Sequence, residues 1–154
     1  MLKDVIAKEL KNAMVARDEL RLSAFRMLTA AIQNREIAER TKRGAGAALG
    51  DEDIVQVIRG EVKKRNDAVE AYTAGGRVEA ARRERDEAAV LAPLLPPELS
   101  DEELAALAEE GVRTLGASSE AEFGKLMGWL KGRIRGRASG ERIAAAAKER
   151  LAGV

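Results

Sequence analysis

Apolar residues recur with the helical period along most of this chain, and the spacing marks off seven segments. Residues 2–17 put Leu2, Val5, Ile6, Leu10, Ala13 and Met14 on one stripe, with Lys3, Lys8, Lys11 and Arg17 mostly outside it. Asp18 suits the cap of a second helix. Its stripe of Leu22, Phe25, Leu28 and Ile32 runs on to about Arg40. The Gly- and Ala-rich run 44–50 reads as a flexible link. Asp51 is expected to cap a third helix, with Glu52 and Asp53 at its positive dipole end. Ile54, Val57, Ile58, Val62, Val69 and Tyr72 form its stripe, and Gly75-Gly76 stops it. A fourth, highly charged helix spans roughly 77–92.

Pro93, Pro96 and Pro97 then end helical structure and mark the best boundary in the chain. Beyond them Ser100 and Glu103 make a capping box. Leu104, Leu107, Ala108, Gly111 and Leu115 face inward on the fifth helix, and Gly116 stops it. Ser118 or Ser119 is expected to cap a sixth helix with Phe123, Leu126, Met127, Leu130 and Ile134 inward. Ser139 caps a seventh with Ile143, Ala146, Ala147 and Leu151 inward. The pattern predicts an all-α protein, with an N-terminal helical domain of about four helices over 1–95 and a small three-helix domain over 98–154. It shows no fixed-period repeat and no sustained heptads.

Composition agrees with helices and narrows the chemistry. Apolar residues are 45% of the 154 but aromatics only 3%, so the core must be aliphatic. The chain has neither Cys nor His. That removes a thiol nucleophile, a disulfide framework, the commonest general base and the commonest metal ligand. No cofactor and no metal site are expected. The N-terminal MLKDVIAKELK is charged throughout, unlike a secretory signal, and no apolar run reaches the length of a membrane span, so a cytoplasmic location away from membranes is the expectation.

Net charge is +1, but its distribution is uneven. Residues 98–122 hold eight acids and one base, whereas residues 125–142 hold six bases and one acid. The six bases are Lys125, Lys131, Arg133, Arg135, Arg137 and Arg142. Gly124, Gly128, Gly132 and Gly136 interrupt the same segment, and a glycine inside a helix costs about 1 kcal/mol against alanine. Such glycines serve close backbone approach, either of another helix or of a ligand. With the six cations around them, Gly124, Gly128 and Gly136 are the candidate approach points for a phosphate-bearing ligand. Trp129 is available to stack on a base, though a lone Trp more often packs.

The other candidates have simpler explanations. Four of the five serines stand where helices begin and read as caps. A Ser119–Lys125 nucleophile and base is conceivable, but no nucleophile-elbow motif surrounds it. The carboxylate runs 51–53 and 101–103 suit helix N-termini rather than a Mg²⁺ site. Lys63-Lys64-Arg65 and Arg82-Arg83-Glu84-Arg85 are expected to be solvated faces, with interhelix pairing or RNA contact as the alternatives.

Several separated stretches resemble the YqeY family. They are Gly116-Ala117-Ser118-Ser119, Gly124-Lys125 with Met127-Gly128, Gly136-Arg137-Ala138 with Gly140, and the joint Leu95-Pro96-Pro97-Glu98-Leu99-Ser100. Arg21 to Leu28 and Glu61 to Ala68 are similar to it as well. The family pattern has Gln-Leu-Ser at the joint, where this chain has Glu98-Leu99-Ser100. The run 44–50 looks like an insertion.

The resemblance implies an N-terminal helical domain and a C-terminal domain similar to the tail of GatB, the tRNA-recognising subunit of glutamine-dependent amidotransferases. It implies tRNA or another structured RNA as partner, with an amidotransferase or aminoacyl-tRNA-related protein beside it. It also implies a carbon–nitrogen ligase association with glutamine as amide donor. The residues supply no glutaminase nucleophile and no P-loop, so the chain is expected not to catalyse alone. Binding is what carries over, at Gly124, Lys125, Gly136 and Arg137. The competing expectation is a protein-docking module using the N-terminal amphipathic helices.

Overall fold

A computed structural model describes residues 1–153 of the chain. Among these residues are seven α-helices, two short 3₁₀ turns and no strand. The helices are α1 (Leu2–Ala16), α2 (Glu19–Arg43), α3 (Asp51–Ala74), α4 (Val78–Leu91), α5 (Asp101–Leu115), α6 (Phe123–Ile134) and α7 (Gly140–Ala152). No helix among them is long and apolar enough to cross a membrane. The chain forms two compact units, Met1–Leu95 and Pro96–Val154.

Local chemistry explains the breaks in the first unit. Arg17 turns left-handed at φ 55°, and the Asp18 carboxylate then accepts the Arg21 N–H at 3.1 Å, starting α2. Leaving Gly44, the chain re-enters helix at Gly50. Gly50, not Asp51, is the cap residue of α3. The Asp53 carboxylate reaches back to the Gly50 N–H at 3.0 Å, and Asp51 instead accepts the Leu2 N–H at 3.1 Å, tying the starts of α1 and α3. The α1–α2 pair is also held by Lys3–Glu36 and Glu9–Arg21.

The core of this unit is Ile6, Ala24, Phe25, Leu28, Ile32, Ile54, Ile58 and Leu91. Val5 and Met14, placed on the α1 stripe by spacing, lie about half exposed at its edge. The Lys63–Arg65 run is not a uniformly solvated face: Arg65 is only 3% exposed. It donates to Glu61 Oε2 at 3.0 Å, to the Glu61 carbonyl at 3.0 Å and to Glu87 Oε2 at 3.3 Å. Ser23 Oγ donates to the other Glu87 oxygen at 3.0 Å, so one buried cluster joins α2, α3 and α4. Interhelix pairing outweighed solvation here because α4 brings a carboxylate to within reach of the guanidinium.

The second unit is a three-helix bundle. Ser100 and Glu103 form the reciprocal box, with Ser100 Oγ accepting the Glu103 N–H at 3.1 Å and Glu103 Oε2 accepting the Ser100 N–H at 2.8 Å. Gly116 at φ 64° ends α5. Neither Ser118 nor Ser119 caps α6 with its hydroxyl. The Glu122 carboxylate accepts the Ser118 N–H at 2.5 Å, and a 3₁₀ turn over Glu120–Glu122 leads into the helix. Ser139 does cap α7, accepting the Arg142 N–H at 3.2 Å. Leu104, Ala108, Val112, Leu126, Leu130, Ile134, Ile143, Ala147 and Leu151 fill the core.

Candidate nucleic-acid interface

The buried side of α6 is set by Leu126, Leu130 and Ile134, one per turn. Gly124, Gly128 and Gly132 recur at the same interval, each two residues, or about 200° of rotation, from a buried position. They therefore line the outer face. A Cβ built at any of the three meets nothing within 4 Å. Of the two explanations for these glycines, close approach of a neighbouring helix is absent among the described residues. The outer surface of α6 is instead a strip of open backbone. Lys131 flanks it on one side and Lys125 on the other, six residues or about 9 Å apart along the axis. Both lysines are exposed.

Close intramolecular approach occurs at Gly111 on α5. A Cβ there would lie 2.7 Å from Leu126 Cδ1 and 2.8 Å from Trp129 Cε3. Gly111 was legible only as one inner-face residue. The signal was a glycine on an apolar stripe, where a bulky partner needs room. Trp129 packs on this spot, half-buried, and Arg133 stacks its guanidinium 4.7 Å from the ring centroid. The indole is thus already covered on one face.

The six candidate cations separate into two groups. Lys125, Lys131, Arg133 and Arg135 are exposed. Arg133 also approaches Glu110 at 3.7 Å while remaining 55% exposed. Arg135 adopts the left-handed conformation (φ 51°, ψ 51°) that ends α6. A glycine would be more comfortable there. Arg137 folds back, donating to the carbonyls of Ile134 at 3.0 Å and Arg133 at 3.3 Å, and so finishes the helix. Arg142 donates to the Leu99 carbonyl and to Asp101 Oδ1, both at 2.8 Å, and pairs with Glu98 at 3.5 Å. With the Leu99 N–H donating to the Arg137 carbonyl at 2.8 Å, these contacts fasten the segment before α5 to the α6–α7 turn. Gly136 is buried at φ 79° and serves that turn.

The arrangement sets exposed cations beside a surface without side chains. No curated protein matches the chain. The family model described as Yqey-like protein matches residues 3–151, nearly the whole sequence, so the chain belongs to the YqeY family.

Proposed function

We propose that the three-helix unit binds structured RNA, tRNA foremost, along the outer face of α6. On this reading the chain is an accessory to glutamine-dependent amidotransfer whose chemistry resides in another protein. The observation that carries the reading is the open strip Gly124–Gly128–Gly132 between Lys125 and Lys131. Gly128, inside the helix, lowers its stability with no packing role in return, which supports close approach of a ligand to the backbone. Arg133 and Arg135 extend the cationic edge at the C-terminal end of the helix. Arg137 and Arg142 support the scaffold beneath it. The resemblance of this unit to the GatB tail agrees with the same ligand class.

The test is tRNA binding measured against salt. Affinity should fall linearly on a log–log plot, with a slope near −0.7 to −0.9 for each phosphate neutralised. Joint replacement of Lys125, Lys131, Arg133 and Arg135 by Ala should abolish binding without unfolding the unit. Salt-indifferent binding, or binding untouched by those replacements, overturns the proposal. The purified chain should not hydrolyse glutamine, and robust turnover would overturn the accessory role.

A second reading has one observation in its favour. A groove of about 530 Å³ runs between α2 and α3, lined by Ala30, Ala31, Val57 and Gly60 together with Asn34, Gln56, Glu61 and Lys64. Met27 and Ile37 stand exposed on α2 at 52% and 60%. That surface suits a docked protein helix, and deletion of its apolar residues should leave RNA binding intact while removing a protein partner.

A further inference from the structure

Arg21 to Leu28 and Glu61 to Ala68, two stretches that carry the family resemblance, play no part in the α6 surface. They meet inside the first unit. The Nη2 of Arg65 donates to Met27 Sδ at 3.6 Å, from a guanidinium that also holds Glu61 and Glu87. Arg65 is 3% exposed, whereas Met27 is 52% exposed and lines the α2–α3 groove. A half-exposed methionine thus has its sulfur against a buried cation.

A thioether sulfur is a weak acceptor, and a sulfoxide oxygen is a strong one. Attack of the sulfur lone pair on hydrogen peroxide breaks the O–O bond and forms an S–O bond. The departing hydroxide takes the remaining proton and leaves as water. Sulfur is oxidised by two electrons and the peroxide reduced by two. At Met27 the new oxygen would sit between sulfur and guanidinium, where 3.6 Å leaves too little space for it in line. The unbranched side chain can yield by withdrawing into the groove. Exposed Met14, at 54% on the same unit, provides an internal comparison.

We propose that Met27 is an oxidation-responsive site: its sulfoxide is held by the buried Arg65 guanidinium, which places one more polar group in a groove already lined by Asn34, Gln56, Glu61 and Lys64. The proposal is independent of the RNA-binding reading, since it concerns residues of the first unit alone.

The experiment treats the full chain with hydrogen peroxide, maps sulfoxide at each methionine by mass spectrometry, and follows the Arg65 side-chain N–H signals by NMR. Met27 should oxidise within about twofold of the rate of Met14 and faster than half-buried Met127, because susceptibility follows exposure. The Arg65 signals should shift, and their exchange with water should slow, in the native chain and in M14L. In M27L, which conserves volume, peroxide should leave them in place. Oxidation of Met27 no faster than of Met127 overturns the proposal. So does full oxidation of Met27 with unmoved Arg65 signals, or the same shift in M27L.

Discussion

In the first unit α3 and α4 close over three charged side chains, Glu61, Arg65 and Glu87. In the three-helix unit the buried core side chains are Leu, Ile, Val and Ala. Charge is handled there at the surface, with acids concentrated on α5 and bases on α6 and after it. The contrast separates two ways of specifying a helix bundle. Buried ions join helices through particular partners, at the risk of an uncompensated charge if one partner is lost. An aliphatic core relies on shape, so its weak point is a place where two helices nearly touch. The first unit has its ion cluster, and the second has Gly111.

Removing the cation probes this difference hardest. R65M leaves the Glu61 and Glu87 carboxylates buried without it and should cost about 3–5 kcal/mol. Residue-resolved amide exchange should confine that loss to residues 1–95. Equal loss in the second unit would break the comparison.

Next comes a pair of alanine substitutions of opposite sign. G111A drives a methyl into Leu126 and Trp129, costing about 1–3 kcal/mol of overpacking, partly offset by helix propensity. Emission from the single Trp should shift. G128A meets open space and should stabilise the unit by about 1 kcal/mol. If RNA lies on that face, G128A weakens binding while it stabilises the fold.

R135G sharpens the same point at smaller scale. Relief of the left-handed conformation should stabilise the unit by about 1 kcal/mol in thermal melts. On the proposed reading, the salt slope of RNA binding falls by about one.

The smallest effect is expected at Glu39 on α2. The hydrogen bond from Arg43 holds its carboxyl below the ordinary value, against an opposing desolvation, with Arg43 and Arg35 charges assisting. The two guanidinium groups, Arg43 at 2.6 Å and Arg35 at 3.2 Å, stand on the same helix. Because the folded value is depressed, this contribution is present above the unfolded carboxylate pKa of about 4.3 and fades as pH falls through the folded value. E39Q should therefore flatten the acid limb of the first unit's stability and leave the second unit unaltered.

Much of this was legible in one dimension because helix periodicity and capping are local. The α5 stripe, the Ser100–Glu103 box and the Gly116 stop lie within a few residues of each other, and their chemistry does not depend on the remainder of the chain. Glu61 and Arg65 stand on the stripe of Ile54 and Ile58, which hinted at burial. Their partner Glu87 lies 22 residues beyond Arg65, on another helix.

The sequence by itself determined an all-helical chain, the break around Pro93–Pro97, the lack of Cys and His chemistry, and the polarised last third. The reason is that composition and short-range spacing control each of these. Only tertiary structure decided which glycine is pressed and which are open, for that depends on what a second helix places opposite. It also decided which cations the fold draws into its turns. Arg137 and Arg142 are drawn into holding the turn before α7, because carbonyls and carboxylates from distant positions converge on them, and Lys125, Lys131, Arg133 and Arg135 remain at the surface around an α6 face stripped to its backbone.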